Sequence, residues 1–195
     1  TPEDSVRIGG LLSGQADIIR QIQAYDEPQV NDAGFEIFAP NTRGVNNSIA
    51  FRPDNPLVAD LKVRQALTLA TNRQEIVDTL FSANYPVATS VISQHAAGYV
   101  DESSKLVFDQ DKAKALFAEA GWTPGADGIL EKDGKKLDLT VYVSLPQPQN
   151  EGVLQLVAQQ WAQVGVKLTV LAGDAGSRTL DQLDPLKTPV TVAMV

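Results

Sequence analysis

The sequence predicts an α/β fold built around a strand, a helix and a second strand. Three observations predict it: alternation of apolar and polar residues over 137–143, a helical pattern from Glu151 to Val164, and a second alternating run over 166–170. Such a crossover pairs its two strands in parallel and is right-handed. We therefore expect a mixed sheet that contains this βαβ unit and is flanked by helices.

The composition is that of a globular protein with one large domain or two small ones. The chain has 195 residues, 43% of them hydrophobic and 21% charged, so it can bury a substantial core. Lys and Arg total 16 against 24 for Asp and Glu, a net charge of −8, which argues against nucleic acid as a partner. The lack of cysteine excludes disulfides, thiolate metal sites and cysteine nucleophiles.

The first fifty residues predict short elements joined by loops. Val6 to Leu12 suits a short helix, which the Ser13-Gly14 pair ends. Apolar residues predict one strand around Phe35–Phe38 and another at Ser48–Phe51. The start of the chain has neither the basic flank nor the apolar stretch of a signal peptide, so we expect any export signal to have been removed.

Three helices are predicted between residues 60 and 121. Apolar residues from Val63 onward repeat at helical spacing, and Asn72 with Glu75 forms a capping box, so a second helix begins there. The third helix begins at Asp109 or Asp111 and ends at Gly121.

Two further strand signals lie outside the βαβ unit. Asp133-Gly134 between two extended runs predicts a two-residue hairpin. The last six residues, Val190–Val195, read as a strand with neither turn nor cap. Because a domain seldom ends on so apolar a strand, we expect the chain to be a piece of a longer protein.

The loop between the first βαβ strand and its helix is the best candidate for a binding site. Ligands of open α/β sheets bind where strands end and helices begin, and the loop carries neutral donors and acceptors; a solvated surface loop is the simpler alternative. Asn46 and Asn47 could direct amides at the same ligand or serve as turn residues. Arg178 suits a ligand carboxylate better than Arg64 or Arg73, which fall on predicted helices. The loop candidates are Ser144, Gln147, Gln149 and Asn150.

Patterns that carry catalysis or bind metals are missing from the sequence. The acids are scattered, and no Gly-x-Ser-x-Gly elbow or His-Glu-x-x-His helix occurs. His95 has no partner at metal-ligand spacing, and the glycines of Gly9–Gly14 lack the Lys-Ser/Thr pair of a phosphate loop. We therefore expect no enzymatic activity, no metal site and no cofactor.

Several segments together resemble a known family. They are Leu11-Leu-Ser-Gly-Gln-Ala-Asp-Ile18, the helix pair over 61–77, the stretch from Asp111 through the 132–134 hairpin, and Gln160-Trp-Ala-Gln-Val-Gly-Val-Lys167. Their order and spacing resemble the family 5 extracellular solute-binding proteins, which serve oligopeptide, dipeptide and nickel importers. The sequence departs from that family at Phe51-Arg52-Pro53, where Phe-Asn-Thr is commoner, and at Asn72, which more often is Asp.

The resemblance implies one lobe of a type II-like periplasmic binding protein, cut short at its C-terminal end. It would place residues 1–25 at the end of the first lobe or in a connector, and residues 26–195 in the second lobe. The two lobes would close on a short peptide or similar small polar solute and deliver it to the permease subunits of an ABC importer. The family's ligand-anchoring acid would lie beyond Val195.

The resemblance also bears on location and partners. It implies a monomer outside the cytoplasm, either in the periplasm or anchored as a lipoprotein on the outer face of the membrane, with no nucleic acid partner. A ligand-sensing receptor domain with the same fold is the alternative.

Overall fold

The computed structural model describes residues 3–41, 43–143, 149–172, 181 and 183–193. Short 3₁₀ turns also occur at 24–26 and 103–105. In chain order, the helices and strands are α1 (Asp4–Leu12), α2 (Glu27–Asp32), β1 (Ser48–Phe51), α3 (Leu61–Leu69), α4 (Arg73–Leu80), α5 (Gln110–Glu119), β2 (Thr123–Pro124), β3 (Leu130–Lys132), β4 (Lys135–Lys136), β5 (Asp138–Tyr142), α6 (Asn150–Ala162), β6 (Lys167–Leu171) and β7 (Val190–Ala193).

The predicted βαβ unit is present. β5 and β6 pair in parallel from Asp138 opposite Lys167 to Tyr142 opposite Leu171. α6 connects them and buries one apolar face, including Leu154, against the core. Gly165 follows α6 with a φ of +82°, a left-handed conformation that glycine adopts without steric cost and that ends helices.

A second strand pair forms its own two-stranded sheet beside the first. β1 and β7 pair antiparallel, with Ser48 opposite Ala193 and Phe51 opposite Val190, which confirms the strands predicted at both places. β7 also lies against β5. The predicted mix of parallel and antiparallel pairs is therefore present, although the two pairs are separate sheets that lie side by side rather than one continuous sheet.

The three predicted helices between residues 60 and 121 form, and only half of the predicted capping box is made, because the N–H of Asn72 donates to Gln160 and not to Glu75. The side chain of Asn72 accepts a hydrogen bond from the backbone N–H of Glu75 at 3.2 Å, where α4 begins. Asp109, one of the two candidates, caps α5 by accepting from the N–H of Lys112 at 2.9 Å. α3 packs against α5, so these helices cover part of the main core.

The Asp133-Gly134 hairpin forms between β3 and β4. Both turn residues have positive φ, +52° and +72°, as a type I′ turn requires. The extended run after the turn divides at the buried Leu137, whose N–H donates to Leu130 and whose carbonyl accepts from Lys167. One sequence run therefore supplies the hairpin strand β4 and the parallel strand β5.

Two side chains at the end of α6 attach this helix to the junction of α3 and α4. The amide of Gln160, 3% exposed, donates to the Glu75 carboxylate at 2.9 Å and accepts from the N–H of Asn72 at 3.0 Å. The indole of Trp161 donates to the Thr71 hydroxyl at 2.9 Å. Because Gln160, Trp161 and Thr71 are buried, leaving one of their polar groups unpaired would be costly.

The buried apolar residues form two separate clusters. The main cluster contains residues from Val58 to Val190, and the smaller one joins Ile8, Leu11 and Val30, with partly buried residues up to Ile37. The strand predicted around 35–38 is wrong: this backbone is irregular, because no described strand lies alongside to supply hydrogen bonds, and Phe38 is 85% exposed. The predicted lobe division after residue 25 stays a prediction.

Replacing Gln160 by Ala should lower the free energy of unfolding by about 2–3 kcal/mol, because the N–H of Asn72 and the Glu75 carboxylate lose a buried partner. Urea denaturation followed by circular dichroism measures it. Gln163→Ala is the matched control: its side chain is exposed, and removing its bond from Gln110 should cost less than about 0.5 kcal/mol. Equal effects would contradict the attachment of α6 through Gln160.

Candidate ligand-binding site

Of the loop that precedes α6, only the last part belongs to the described residues. Ser144 and Gln147 lie outside the described residues, as does Arg178. Gln149 stands at the N-cap position of α6, and Asn150 is the first helical residue. Two of the seven candidates therefore lie at the start of α6, and their contact with a ligand stays a prediction.

Gln149 and Asn150 have different surroundings. The Gln149 side chain is half-buried, and its Nε2 donates a hydrogen bond to Oε1 of Gln23 in the N-terminal segment. Asn150 is fully buried. Gln149 is therefore the more accessible of the two to a ligand, and its amide already has a protein partner.

Asn46 helps to hold the segment before β1. Its Nδ2 donates to the carbonyl of Ser90 at 2.9 Å, and its backbone N–H donates to the carbonyl of Val91 at 2.9 Å. A bridge between Val45 and Ile92 continues this pairing. Asn46 thus has a structural role, whereas Asn47 is exposed.

The orientation of β1 relative to α6 shows where the segment before β1, with Asn46 and Asn47, is located. The ring of Phe51, at the end of β1, stacks on Trp161 with centroids 6.2 Å apart. α6 runs from the carboxyl end of β5 back to the amino end of β6, so Trp161 lies near the amino ends of these strands. The start of β1, with Asn46 and Asn47 before it, is therefore directed toward the edge where β5 ends.

Two arginines considered as carboxylate partners hold the backbone instead. Arg64 Nη1 donates to the carbonyls of Val58 and Ala59 at 2.8 and 2.7 Å. Arg73 Nη1 donates to the carbonyl of Leu106 at 2.9 Å, and burial lowers the pKa of Arg73. Both guanidinium groups stabilise loops around α3 and α4.

A group at the end of β5 was missed by sequence reasoning. The hydroxyl of Tyr142, the last residue of β5, donates to Asp181 at 3.4 Å, and Lys187 Nζ lies 2.8 Å from the same carboxylate. The hydrogen bond from Lys187, with its positive charge, lowers the pKa of Asp181; desolvation and then the charge of Asp181 raise the pKa of Tyr142. The sequence signal that could have revealed this group is Tyr142, a polar residue at the end of a strand of the predicted βαβ unit.

Comparison with known proteins decides the family. Residues 1–189 match the profile described as "Bacterial extracellular solute-binding proteins, family 5 Middle". The chain belongs to this family. The resemblance of the sequence segments is thereby confirmed along nearly the whole chain.

The curated relatives of this family 5 protein are named for the solutes they bind. The oligopeptide-binding protein AppA of Bacillus subtilis is 32% identical over 140 residues, 70% of this chain and 26% of the relative. The dipeptide-binding protein of Escherichia coli is 28% identical over 184 residues, 90% of this chain and 32% of the relative. This family 5 chain thus spans about a quarter to a third of these relatives.

Solved structures confirm the predicted fold class, a lobe of the type II periplasmic-binding-protein kind. The AppA structure from Bacillus subtilis with a nonapeptide superposes with a TM-score of 0.77 at 25% identity, over 99% of this chain and 39% of that one. NikA from Brucella suis with Fe(III)-EDTA gives 0.86 at 20% identity, over 100% and 40%. The latter likeness concerns the fold alone.

The described residues provide neither a metal-binding cluster nor a helix that could span a membrane. They contain no group of three or more His, Cys, Asp or Glu side chains that could hold a metal ion. No helix among them has the length and apolar character needed to span a bilayer.

Replacing Lys187 by Met should raise the pKa of Asp181 toward the usual aspartate range, because the carboxylate loses its hydrogen bond and its positive neighbour. NMR titration of the Asp181 carboxyl carbon measures this change. The control is Lys105→Met, which removes an exposed lysine paired with Glu102. An Asp181 pKa that is the same in both variants would contradict the contact at the end of β5.

Proposed function

We propose that this chain is part of the substrate-binding component of an ABC importer, which captures a short peptide or similar small polar solute between two lobes. The observation that carries the proposal is the edge where β5 ends and α6 begins, in a chain that matches family 5 over residues 1–189. Relatives of this chain are named for binding oligopeptides, dipeptides and glutathione. All three ligand types contain amide groups, which suit neutral hydrogen-bonding partners.

The proposed ligand contacts come from the loop at this edge and from its surroundings. Ser144, Gln147, Gln149 and Asn150 supply amides and a hydroxyl, with Asn46 and Asn47 directed toward the same edge. Arg178 pairs with a ligand carboxylate. The geometry favours Gln149 over the buried Asn150 as a direct contact. Together these residues recognise the ligand by hydrogen bonds, and none of them takes part in a catalytic step.

On this proposal, the intact protein is a monomer outside the cytoplasm, either periplasmic or lipid-anchored. It delivers its ligand to the permease subunits and has no enzymatic activity, no cofactor and no nucleic acid partner. Residues 1–25 close the first lobe and 26–195 form the second. Because the small apolar cluster continues to Ile37, a division between Ile37 and β1 suits the packing better than one after residue 25.

Replacing Gln147 and Gln149 together by Ala in the intact protein should weaken binding of a short peptide about tenfold or more, because each lost hydrogen bond contributes about 0.5–1.5 kcal/mol. Isothermal titration calorimetry with a mixed set of di- to nonapeptides measures the affinity.

The matched control is Gln163→Ala at the opposite end of α6, where the side chain is exposed. It should leave the affinity unchanged. Unchanged affinity in the Gln147/Gln149 variant would rule out this site. Absence of binding by the unaltered protein to every peptide would argue against the ligand class.

A further inference from the structure

Two hydrogen bonds between side chains connect the amino-terminal unit, residues 3–37, to the remainder of the described chain. Gln149 Nε2, at the start of α6, donates to Gln23. Asn84 Nδ2, in the loop after α4, donates to Oε2 of Glu27 at 3.0 Å. The apolar clusters on the two sides have no residue in common.

The Glu27 carboxylate makes the junction sensitive to the loss of its hydrogen-bond partner, Asn84. Glu27 is 8% exposed, and a shielded carboxylate is unfavourable unless hydrogen bonds replace the lost water. Asn84 supplies such a bond. Burial and then the negative charge of Glu27 raise the pKa of Tyr85, the residue after Asn84. Without Asn84, Glu27 would be better solvated if the two sides moved apart.

The packing at the junction is open. A surface cleft of about 550 Å³ is lined by Asn31, the 34–37 segment and Asn84. It therefore lies between the amino-terminal unit and the loop after α4. Small, polar and incompletely packed contacts are typical of interfaces between units that move relative to each other.

The backbone that presents Gln23 is held in an uncommon conformation. Gln21 has a φ of +61°, a region that residues other than glycine rarely adopt. Arg7 Nη2 donates to the Gln21 carbonyl at 2.9 Å, which fixes this segment against α1. A strained residue held by a specific contact often occurs at clamps and switches, and here it directs Gln23 toward Gln149.

We infer that the Gln23–Gln149 and Glu27–Asn84 hydrogen bonds form a latch that holds the amino-terminal unit against α6 and the end of α4 in the absence of ligand. Molecules in which both hydrogen bonds are made are closed, and those in which the two sides have moved apart are open. The latch sets the ratio of open to closed molecules without any contact with a solute. A ligand that reaches the start of α6 then has to compete with Gln23 for the amide of Gln149. This inference goes beyond the proposed function, because it concerns the ligand-free protein.

The test measures distances in the intact, ligand-free protein. Spin labels are attached to cysteines introduced at Asp32 in α2 and Lys114 in α5, both exposed, and the distance distribution is recorded by pulsed electron resonance. In the Gln23→Ala/Asn84→Ala variant, the ratio of long to short distances should rise on the order of tenfold, since two net hydrogen bonds are removed.

Two further variants sharpen the test. Asn84→Asp places a second carboxylate against Glu27 and should open the junction at least as far while conserving side-chain shape. Gln74→Ala removes an exposed bond within α4, from Gln74 to Asp78, and should leave the distances unchanged. Distributions unchanged in both latch variants, with intact circular dichroism, would overturn the latch. Peptide affinity is measured separately, so failure of the proposed function would leave this result interpretable.

Discussion

Trp161 holds the main apolar cluster together. It is 1% exposed, stacks on Phe51 of β1 and donates its indole N–H to Thr71 at the junction of α3 and α4. One side chain thus contacts the sheet, a helix pair and its own helix. A buried indole of this size contributes several kcal/mol when its N–H is paired, and the neighbouring Gln160 network fixes the same end of α6.

The position of the candidate site follows from this attachment. α6 is thirteen residues long, about 20 Å at the usual rise, with Trp161 near its end and Gln149 just before its start. A helix fixed at one end acts as a rigid lever, so the buried contacts of Trp161 and Gln160 determine where Gln149 lies. Side chains far from any ligand can therefore influence ligand geometry.

Local signals allowed much of the fold to be predicted. Asn72 and Asp109 cap helices, Asp133-Gly134 forms its hairpin, and alternation over 137–143 gives β5, because each depends on neighbours in sequence. The site was harder to predict. Gln23 and Gln149 meet across 126 positions, and Tyr142 meets Asp181 across 39; neither contact has a local pattern. The strand expected at 35–38 failed because apolar content alone does not supply a pairing partner.

The pairing of β1 with β7 affects how the molecule is made. Ser48 and Ala193 lie opposite each other, so all the residues between them, including the helices α3 to α6, must emerge before this pair can form. Contacts between such distant residues form slowly, and unpaired strand edges promote association in the meantime. Until β7 has emerged, β1 stays unpaired, with an apolar face that includes Ile49 and Phe51. A chaperone that shields this strand until β7 emerges would increase the yield of folded protein more than it would increase its final stability.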